Sequence, residues 1–234
     1  MLLLSPPFSN YINLPKTKSI KGTFTLHPRN GLFLQTLYTL RYDFQNKGWI
    51  NKIGLRNKGI DWAIKRYKND KQSIVSIAIL EHSEIKKLLN KIPDAMDLEL
   101  NISCPNTENK LINNDLHLFL NPNRQWCCIK LSPLTNMQLI DNYYNQGFRI
   151  FHCSNTLPVK NGGLSGIILK PYTENLIKKI KNKYPDTVIV AGGGIKTIND
   201  IYNYKKYKAD YYSVSTLLFN PLMFIKFYYT YLKL

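Results

Sequence analysis

The feature that most constrains the fold is a series of eight short apolar runs with strand character, separated in several places by helical patterns. The runs cover residues 2–4, 19–25, 73–80, 96–102, 126–131, 148–153, 187–191 and 211–214. The helical patterns cover residues 60–67, 83–89, 173–181 and 198–204. Strands that alternate with helices form parallel sheets, and eight such units close a barrel. We therefore predict an α/β fold, a (β/α)8 TIM barrel, with residues 1–234 as a single domain.

Polar and glycine-rich motifs follow the ends of these runs. Asn101 ends the fourth run, residues 154–156 (Ser-Asn-Thr) follow the sixth, residues 192–194 (Gly-Gly-Gly) follow the seventh, and Ser215 and Thr216 follow the eighth. A TIM barrel places its chemistry at the carboxyl ends of its strands. The loops after strands seven and eight commonly hold a phosphate through backbone N–H groups, and no GxGxxG dinucleotide motif is present. The sequence thus predicts an enzyme that binds a mononucleotide.

The segment that ends the fourth run, residues 99–107 (Glu-Leu-Asn-Ile-Ser-Cys-Pro-Asn-Thr), brings Asn101, Cys104 and Asn106 into one loop. The two carboxamides can donate to and accept from a planar polar heterocycle. The thiol between them can act as a base or a nucleophile. An asparagine-rich turn with a buried cysteine explains these residue types equally well on chemistry alone.

Charge and cysteine usage limit the partners and the compartment. The net charge is +17, but the basic residues are scattered along the chain, which is typical of a solvated surface, so we expect no nucleic-acid partner. Cys104, Cys127, Cys128 and Cys153 form no C-x-x-C pair, so we predict no metal site and reduced thiols in a cytoplasmic protein. No signal peptide or membrane-spanning run is apparent, and we expect no membrane partner.

The segment 99–107 resembles the active-site segment of the dihydroorotate dehydrogenases, which are flavin-dependent (β/α)8 barrels. Three further segments extend the resemblance over nearly the whole chain. Residues 25–31 resemble the family's Thr-x-x-Pro-Arg-x-Gly segment, residues 51–59 its Asn-x-x-Gly-Leu-x-Asn-x-Gly segment, and residues 162–166 its Gly-Gly-Leu-Ser-Gly segment. A glycine-punctuated hairpin is the simpler interpretation of residues 48–59.

The resemblance implies a specific reaction in pyrimidine (UMP) biosynthesis. Cys104 would remove a proton from ring carbon 5 of dihydroorotate while a hydride leaves ring carbon 6 for FMN, giving orotate. The residues that would hold the substrate are Asn51, Asn101, Asn106, Asn155 and Thr156, with Lys21 as a further candidate. Members with cysteine at the base position are mostly soluble and pass electrons to fumarate, or to NAD through a partner subunit. A quinone acceptor and a homodimer remain open.

The resemblance also implies the FMN site. Its candidate residues are Thr23, Asn101, Lys130, Gly163, Gly166, Gly193, Gly194, Ser215 and Thr216. Lys130 lies in an apolar run, and beside the flavin pyrimidine edge it would stabilise the negative charge of the reduced flavin. The simpler interpretation is a lysine whose head reaches water at a strand end.

The sequence departs from the family at the lysine that contacts substrate and flavin in Cys-type relatives. Gly22 occupies the matching position, and Lys21 stands one residue earlier. A shift of one residue reverses the face of a strand, but a local bulge can restore the direction. We therefore predict that Lys21 points into the barrel mouth. In addition, Ser215 replaces a usual glycine, and the loop 156–162 is shorter than in most relatives.

Two alternatives follow from these departures. One is an FMN barrel that acts on another dihydropyrimidine or on dihydrouridine, with a changed carboxylate-binding region. The other is a non-catalytic relative that retains only flavin binding.

Overall fold

The computed structural model describes residues 1–102 and 114–234. The strands are β1 (Leu2–Leu4), β2 (Thr17–Phe24), β3 (Arg41–Asp43), β4 (Gly48–Asn51), β5 (Ser73–Ile77), β6 (Leu98–Leu100), β7 (Cys127–Leu131), β8 (Ile150–Cys153), β9 (Leu157–Val159), β10 (Gly162–Gly166), β11 (Val188–Gly192) and β12 (Tyr211–Val214). The helices are α1 (Leu32–Thr39), α2 (Ile60–Tyr67), α3 (Glu84–Leu89), α4 (Met137–Asn145), α5 (Lys170–Lys183), α6 (Ile198–Lys206) and α7 (Pro221–Leu232).

Eight parallel strands close a barrel in the order β1-β12-β11-β8-β7-β6-β5-β2. Each of the eight predicted strands has its counterpart, and the prediction of a (β/α)8 TIM barrel is confirmed. The connection from β1 to β2 carries only the 3-10 helix Phe8–Asn10 where an α-helix would complete the repeat. The four predicted helices correspond to α2, α3, α5 and α6.

The barrel interior changes from apolar to polar toward the carboxyl ends of the strands. A lower layer consists of Leu3, Ile20, Ile74, Trp126, Cys128 and Val190, with Ile150 and Tyr211 packed against it. Residues two positions apart in a strand share a face. The next layer up consists of the residues that follow these two positions later in seven strands or their immediate extensions. They are Ser5, Gly22, Ser76, Lys130, His152, Gly192 and Ser213. The change of residue type at this step positions the polar site.

A larger apolar layer lies between the barrel and the surrounding helices. Helix α5 contributes the buried Leu176, Ile177 and Ile180, and α2 contributes Ile60 and Ala63. This spacing places each helix's apolar side chains on one stripe. Helix ends are fixed locally: α5 has proline in its first turn and lysines in its last, and α6 begins with a capping box between Thr197 and Asp200.

A second sheet, which the sequence analysis did not predict, packs over the barrel mouth. It has four strands in the order β3-β4-β10-β9 and is antiparallel throughout. One of its two central strands, β10, is glycine-rich, and this conceals its strand character because glycine weakens a strand in isolation. The glycines permit close contact, since a Cβ on Gly48 would lie 2.3 Å from the carbonyl oxygen of Ser165. The hairpin interpretation of residues 48–59 is wrong: the hairpin is formed by β3 and β4, and residues 52–59 contain no strand.

Candidate active site

A cavity of about 910 Å³ opens at the carboxyl ends of the barrel strands, beneath the second sheet. Ten of the predicted site residues line it: Thr23, Asn51, Lys130, Asn155, Thr156, Gly166, Gly193, Gly194, Ser215 and Thr216. This volume falls in the range of sites for small molecules and cofactors. One cavity thus brings together residues from four strands and three loops, as the barrel architecture predicts. The strands are β2, β4, β7 and β10, and the loops follow β8, β11 and β12.

Hydrogen bonds connect two of the predicted asparagines, Asn101 and Asn155, at the cavity wall. The side-chain amide of Asn155 donates to Asn101 Oδ1 over 2.9 Å, and the amide of Asn101 donates to Thr23 Oγ1 over 2.9 Å. The backbone N–H of Thr156 donates to Asn155 Oδ1 over 2.9 Å. Asn101 is buried and does not itself line the cavity, so it orients its two neighbours.

The same network continues to a buried carboxylate. Ser76 Oγ donates to Glu99 Oε1 over 2.8 Å, and Thr23 Oγ1 lies 3.1 Å from Ser76 Oγ. Because Ser76 uses its only proton on Glu99, Thr23 is the donor to Ser76. Lys130 Nζ lies 3.4 Å from Glu99 Oε1, and His152 Nδ1 lies 2.6 Å from Glu99 Oε2. A chain of polar side chains therefore runs from the cavity's asparagines to its lysine.

The charges of this network follow from its contacts. Burial alone would raise the pKa of Glu99, but the charge of Lys130 and the hydrogen bonds from His152 and Ser76 hold that pKa well below its usual range. Burial lowers the pKa of His152, and Glu99 opposes that shift. Glu99 is thus an ionised carboxylate at neutral pH that holds the ammonium of Lys130 at the cavity wall.

The Glu99–His152 pair makes the fold sensitive to acid. Both groups have a lower pKa when folded than their ordinary values of 4.5 and 6.5, so the unfolded chain binds more protons as the pH falls. The free energy of unfolding is expected to decrease below about pH 6.5, and the Glu99 contribution to be lost between about pH 4.5 and pH 2. Urea unfolding at pH 7, 5.5 and 4 measures the free energy of unfolding. A free energy that does not change over these pH values would contradict the assignment.

Gly193 and Gly194, in the loop after β11, line the cavity, and we refer to them as the glycine cradle. Gly193 and Gly194 have φ angles of +89° and +79°, a region that favours glycine. A Cβ on Gly193 would lie 2.7 Å from Leu169 Cβ, and one on Gly194 would lie 2.9 Å from Ile167 Cα. The carbonyl of Gly193 accepts a hydrogen bond from Tyr204 Oη over 2.7 Å, which fixes the loop. Backbone geometry of this kind suits an anionic group that approaches closely.

Three other predicted cofactor residues lie on different elements. Gly166, at φ +131°, lines the cavity where β10 meets β4. Gly163 pairs with Asn51 across the same two strands and does not line the cavity. Ser215 Oγ donates to the carbonyl of Pro6 over 2.5 Å, which ties the loop after β12 to the loop after β1.

Lys21 does not point into the barrel mouth. It lies between Ile20 and Gly22, both of which face the interior, so its side chain takes the opposite face of β2. Its Nζ is buried and bonds to the carbonyls of Ser9 and Ile12 and to Asn13 Oδ1, at 3.1 Å for Ile12 and 2.7 Å for Asn13. The irregularity that could have redirected it lies after Gly22, too late in the strand to do so.

Burial also lowers the pKa of Lys21 to about 8, although the charge of Asp70 opposes that shift. The lysine therefore supports the loop before β2. Cys104 and Asn106 lie outside the described residues, so their predicted roles remain predictions.

Several cavity residues escaped the sequence analysis. Arg56, Lys58 and Arg66 line the cavity together with Asn51, although no motif marked them. Glu99 and His152 were also missed as a pair, yet a carboxylate in an apolar barrel strand is itself a signal that a buried partner exists. Within residues 1–102 and 114–234, no group of three or more His, Cys, Asp or Glu side chains could hold a metal ion.

The comparisons with known proteins agree with this geometry. The family model described as dihydroorotate dehydrogenase matches residues 8–142. The catalytic subunit of dihydroorotate dehydrogenase B (NAD(+)) from Thermotoga petrophila is 26% identical over 252 positions, covering 94% of this chain and 91% of that protein. The corresponding subunit from Lachnoclostridium phytofermentans is 28% identical, covering 74% of this chain and 69% of that protein.

Solved structures show the same fold. The DHODH of Eimeria tenella, crystallised with ferulenol, superposes with a TM-score of 0.68 over 86% of this chain and 70% of that chain, at 18% identity. No helix among the described residues is long and apolar enough to cross a bilayer. Because the family model covers more than half of the sequence and the barrel carries the expected cavity, the chain belongs to the dihydroorotate dehydrogenase family of oxidoreductases.

Proposed function

We propose that this protein oxidises dihydroorotate to orotate in pyrimidine biosynthesis, with FMN as its flavin and residues 1–234 acting as one domain. The observation that carries the proposal is a continuous polar network that borders the same cavity as the glycine cradle. It runs from Asn155 through Asn101, Thr23, Ser76 and Glu99 to Lys130. The asparagines suit a polar pyrimidine ring, and the cradle suits a phosphate.

The residues of the cavity fit FMN. Gly193 and Gly194, with Ser215 and Thr216, would hold its single phosphate, because their backbone is shaped for close approach. Lys130, held by Glu99, would lie at the pyrimidine edge of the ring system. When bound, FMN supplies an acceptor for the hydride that leaves the substrate. Lys130 then stabilises negative charge without having to move, because Glu99 already fixes its ammonium.

The protein's own part in the reaction is to orient the ring and move one proton. Asn51, Asn155 and Thr156 line the cavity and would bind the pyrimidine. Asn106, outside the described residues, is proposed as a further ligand on the resemblance alone. Cys104 would take the proton from ring carbon 5. A free thiol has a pKa of about 8.5, so proton transfer at neutral pH requires a pocket that excludes water or lowers that pKa.

The substrate carboxylate has cationic partners even though Lys21 is directed elsewhere. Arg56, Lys58 and Arg66 all line the cavity that contains Asn51. Arg56 also donates to the carbonyl of Asn30 over 2.9 Å, which restrains its guanidinium beside the loop before α1. A buried carboxylate is costly without a charge partner, so these three cations favour a carboxylated substrate.

An uncharged dihydropyrimidine is the second candidate. The outward direction of Lys21 favours it, because relatives of the Cys type bind substrate with a lysine near this position. The two candidate substrates differ in whether they carry a carboxylate for the cavity to bind.

A dye-linked turnover assay distinguishes the candidates. The FMN-loaded protein is supplied in turn with dihydroorotate, dihydrouracil and dihydrouridine, and reduction of the dye is recorded. We expect turnover with dihydroorotate alone. Preference for dihydrouracil or dihydrouridine would establish the second candidate, and no turnover with any of the three would indicate a non-catalytic flavin-binding protein.

We further propose that electrons leave through a partner subunit to NAD. The two relatives from Thermotoga petrophila and Lachnoclostridium phytofermentans are named as catalytic subunits of NAD(+)-linked enzymes, and they support this acceptor. Fumarate and a quinone are the other acceptors to compare in the same assay.

Cofactor binding is expected to depend on the cradle. The wild-type chain should bind one FMN and bind riboflavin much less tightly, because riboflavin lacks the phosphate. Gly193→Ala should weaken FMN binding by more than about tenfold and leave riboflavin binding nearly unchanged, since the new Cβ pushes against Leu169. Fluorescence titration of both flavins measures the two affinities.

The matched control is Gly31→Ala. Gly31 has a φ of +88°, almost that of Gly193, but a Cβ there meets nothing within 4 Å. Both variants carry similar backbone strain, but only Gly193→Ala adds a steric contact that displaces the loop after β11. A loss for FMN that riboflavin does not share then assigns the effect to the phosphate. Equal loss of FMN affinity in the two variants would contradict the assignment.

A further inference from the structure

A buried histidine forms part of the cavity wall beside Lys130. His152 lies in β8, is 2% exposed and lines the cavity. It pairs in register with Lys130 of β7, so the two side chains stand next to each other on the interior face of the barrel. The proposed reaction gives this ring no role of its own, although the ring can bind a proton near neutral pH.

A hydrogen bond fixes which nitrogen of the ring carries the proton. His152 Nδ1 lies 2.6 Å from Glu99 Oε2, and an ionised carboxylate can only accept, so Nδ1 is the donor. Nε2 of the neutral ring therefore holds a lone pair. This nitrogen lies beside Gly192, since a Cβ added to that glycine would be 2.9 Å from it. Because Gly192 also lines the cavity, a proton acceptor is present at the site.

The buried charges are balanced only while His152 is neutral. Glu99 carries a negative charge, and the ammonium of Lys130, 3.4 Å away, carries a positive one. These two charges act on the histidine in opposite directions, because Glu99 raises its pKa and Lys130 lowers it. Burial is the largest effect, and it keeps the pKa of His152 below its ordinary value. The ring is therefore neutral at pH 7.

The other strands place no titratable group beside the ring in its own layer of the barrel, as far as residues 1–102 and 114–234 show. Serine or glycine occupies this layer in β5, β11 and β12, at Ser76, Gly192 and Ser213. In the layer below, burial raises the pKa of the Cys128 thiol well above its ordinary value, so it stays neutral. Three more cations of the cavity come from α2 and the loop before it, namely Arg56, Lys58 and Arg66.

We propose that His152 binds a proton at Nε2 when the flavin is reduced and releases it when the flavin is reoxidised. Reduction by a hydride adds one negative charge to the cavity, so the flavin and Glu99 then share the single ammonium of Lys130. Charge without a partner is costly in a buried site, and a protonated His152 restores the balance. Two electrons and one proton reach the flavin as the hydride. A second proton comes from water and forms only the N–H bond at Nε2.

A redox titration of the FMN-loaded protein counts these protons. A chemical reductant with mediators replaces the substrate, and the change of midpoint potential with pH gives the protons bound for every two electrons. Near pH 6.5, the ordinary pKa of the group, the wild type should bind two protons and His152→Gln only one, because glutamine cannot be protonated. The absorbance of the reduced flavin verifies that the flavin itself stays anionic.

The matched control is His117→Gln, at an exposed histidine outside the cavity. This variant should bind two protons, as the wild type does. One proton in the wild type, or two in His152→Gln, would overturn the proposal.

NMR of the ring nitrogens observes the proton directly and does not require the His152 variant to fold. The chain has four histidines, and the other three, His27, His82 and His117, are exposed. Replacing these three by glutamine leaves His152 as the only imidazole. At pH 7 its Nε2 should be unprotonated with oxidised FMN and protonated after anaerobic reduction by dithionite. A ring that is neutral in both states, or cationic in both, would overturn the proposal.

The inference rests on the proposed FMN but not on the identity of the substrate, and the experiments separate the two. An FMN-loaded protein that oxidises dihydroorotate but binds only one proton on reduction would overturn this inference alone. A protein that binds two protons on chemical reduction but does not oxidise dihydroorotate would support this inference and contradict the proposed substrate. A chain that binds no FMN would contradict both.

Discussion

Cys104→Ala is expected to slow flavin reduction by dihydroorotate at least about a hundredfold while FMN remains bound, because loss of a general base typically costs this much. In our proposal the thiol moves a proton and does not hold the cofactor, whose proposed contacts lie at Gly193, Gly194 and Lys130. Stopped-flow absorbance of the flavin band measures the rate, and flavin fluorescence measures retention of FMN. Cys104→Ser should fall between the wild type and Cys104→Ala.

The control for this experiment is a cysteine outside the site. Cys127 is buried in β7, and burial raises the pKa of its thiol to about 12, so it carries no thiolate at neutral pH. Cys127→Ala should therefore leave the rate of flavin reduction unchanged. An unchanged rate in Cys104→Ala would show that another group is the base.

Glu99→Gln is expected to lower the free energy of unfolding by about 3–5 kcal/mol, because it removes one partner of a buried charge network and leaves the charge of Lys130 without its carboxylate. For a chain of this length the loss corresponds to a decrease in Tm of about 10 °C. Flavin affinity should fall as well, since Lys130 loses the group that positions it. Calorimetry and FMN titration measure the two effects.

Two further variants separate the buried network from ordinary charge effects. Asp141→Asn removes an ion pair at the surface, with Lys183 Nζ 2.7 Å from Asp141 Oδ2, and weakens a hydrogen bond from Tyr184 Oη. It should cost much less than Glu99→Gln, because water screens an exposed pair. Glu99→Gln combined with Lys130→Met should recover part of the loss, because both charges of the pair are then absent. A cost for Glu99→Gln no larger than that for Asp141→Asn would contradict the network.

The sequence predicted the barrel because each strand is a local signal. Short β-branched runs that alternate with helical patterns indicate a parallel sheet without any knowledge of contacts. Residues two positions apart in a strand face the same side, so the changes from Ile74 to Ser76 and from Cys128 to Lys130 can also be recognised in the sequence. They mark the layer at which the barrel interior becomes polar. Most of the predicted site therefore converges on one cavity.

The remaining features depend on contacts between distant segments. The Glu99–His152 pair joins residues 53 positions apart, and the second sheet joins β4 to β10 across more than a hundred residues. Glycine hides the strand character of β10, because its role is to let backbones approach. The direction of Lys21 was mispredicted because a bulge was assumed before it, whereas the irregularity follows Gly22.

The most direct test of the central claim is anaerobic mixing of the FMN-loaded protein with dihydroorotate, with no acceptor present. Our account predicts that the flavin band bleaches and that one orotate forms for each flavin reduced, because the cavity that holds Asn51, Asn155 and Lys130 also contains cations for the carboxylate. A flavin that stays oxidised with dihydroorotate, yet bleaches with dihydrouracil under the same conditions, would contradict it.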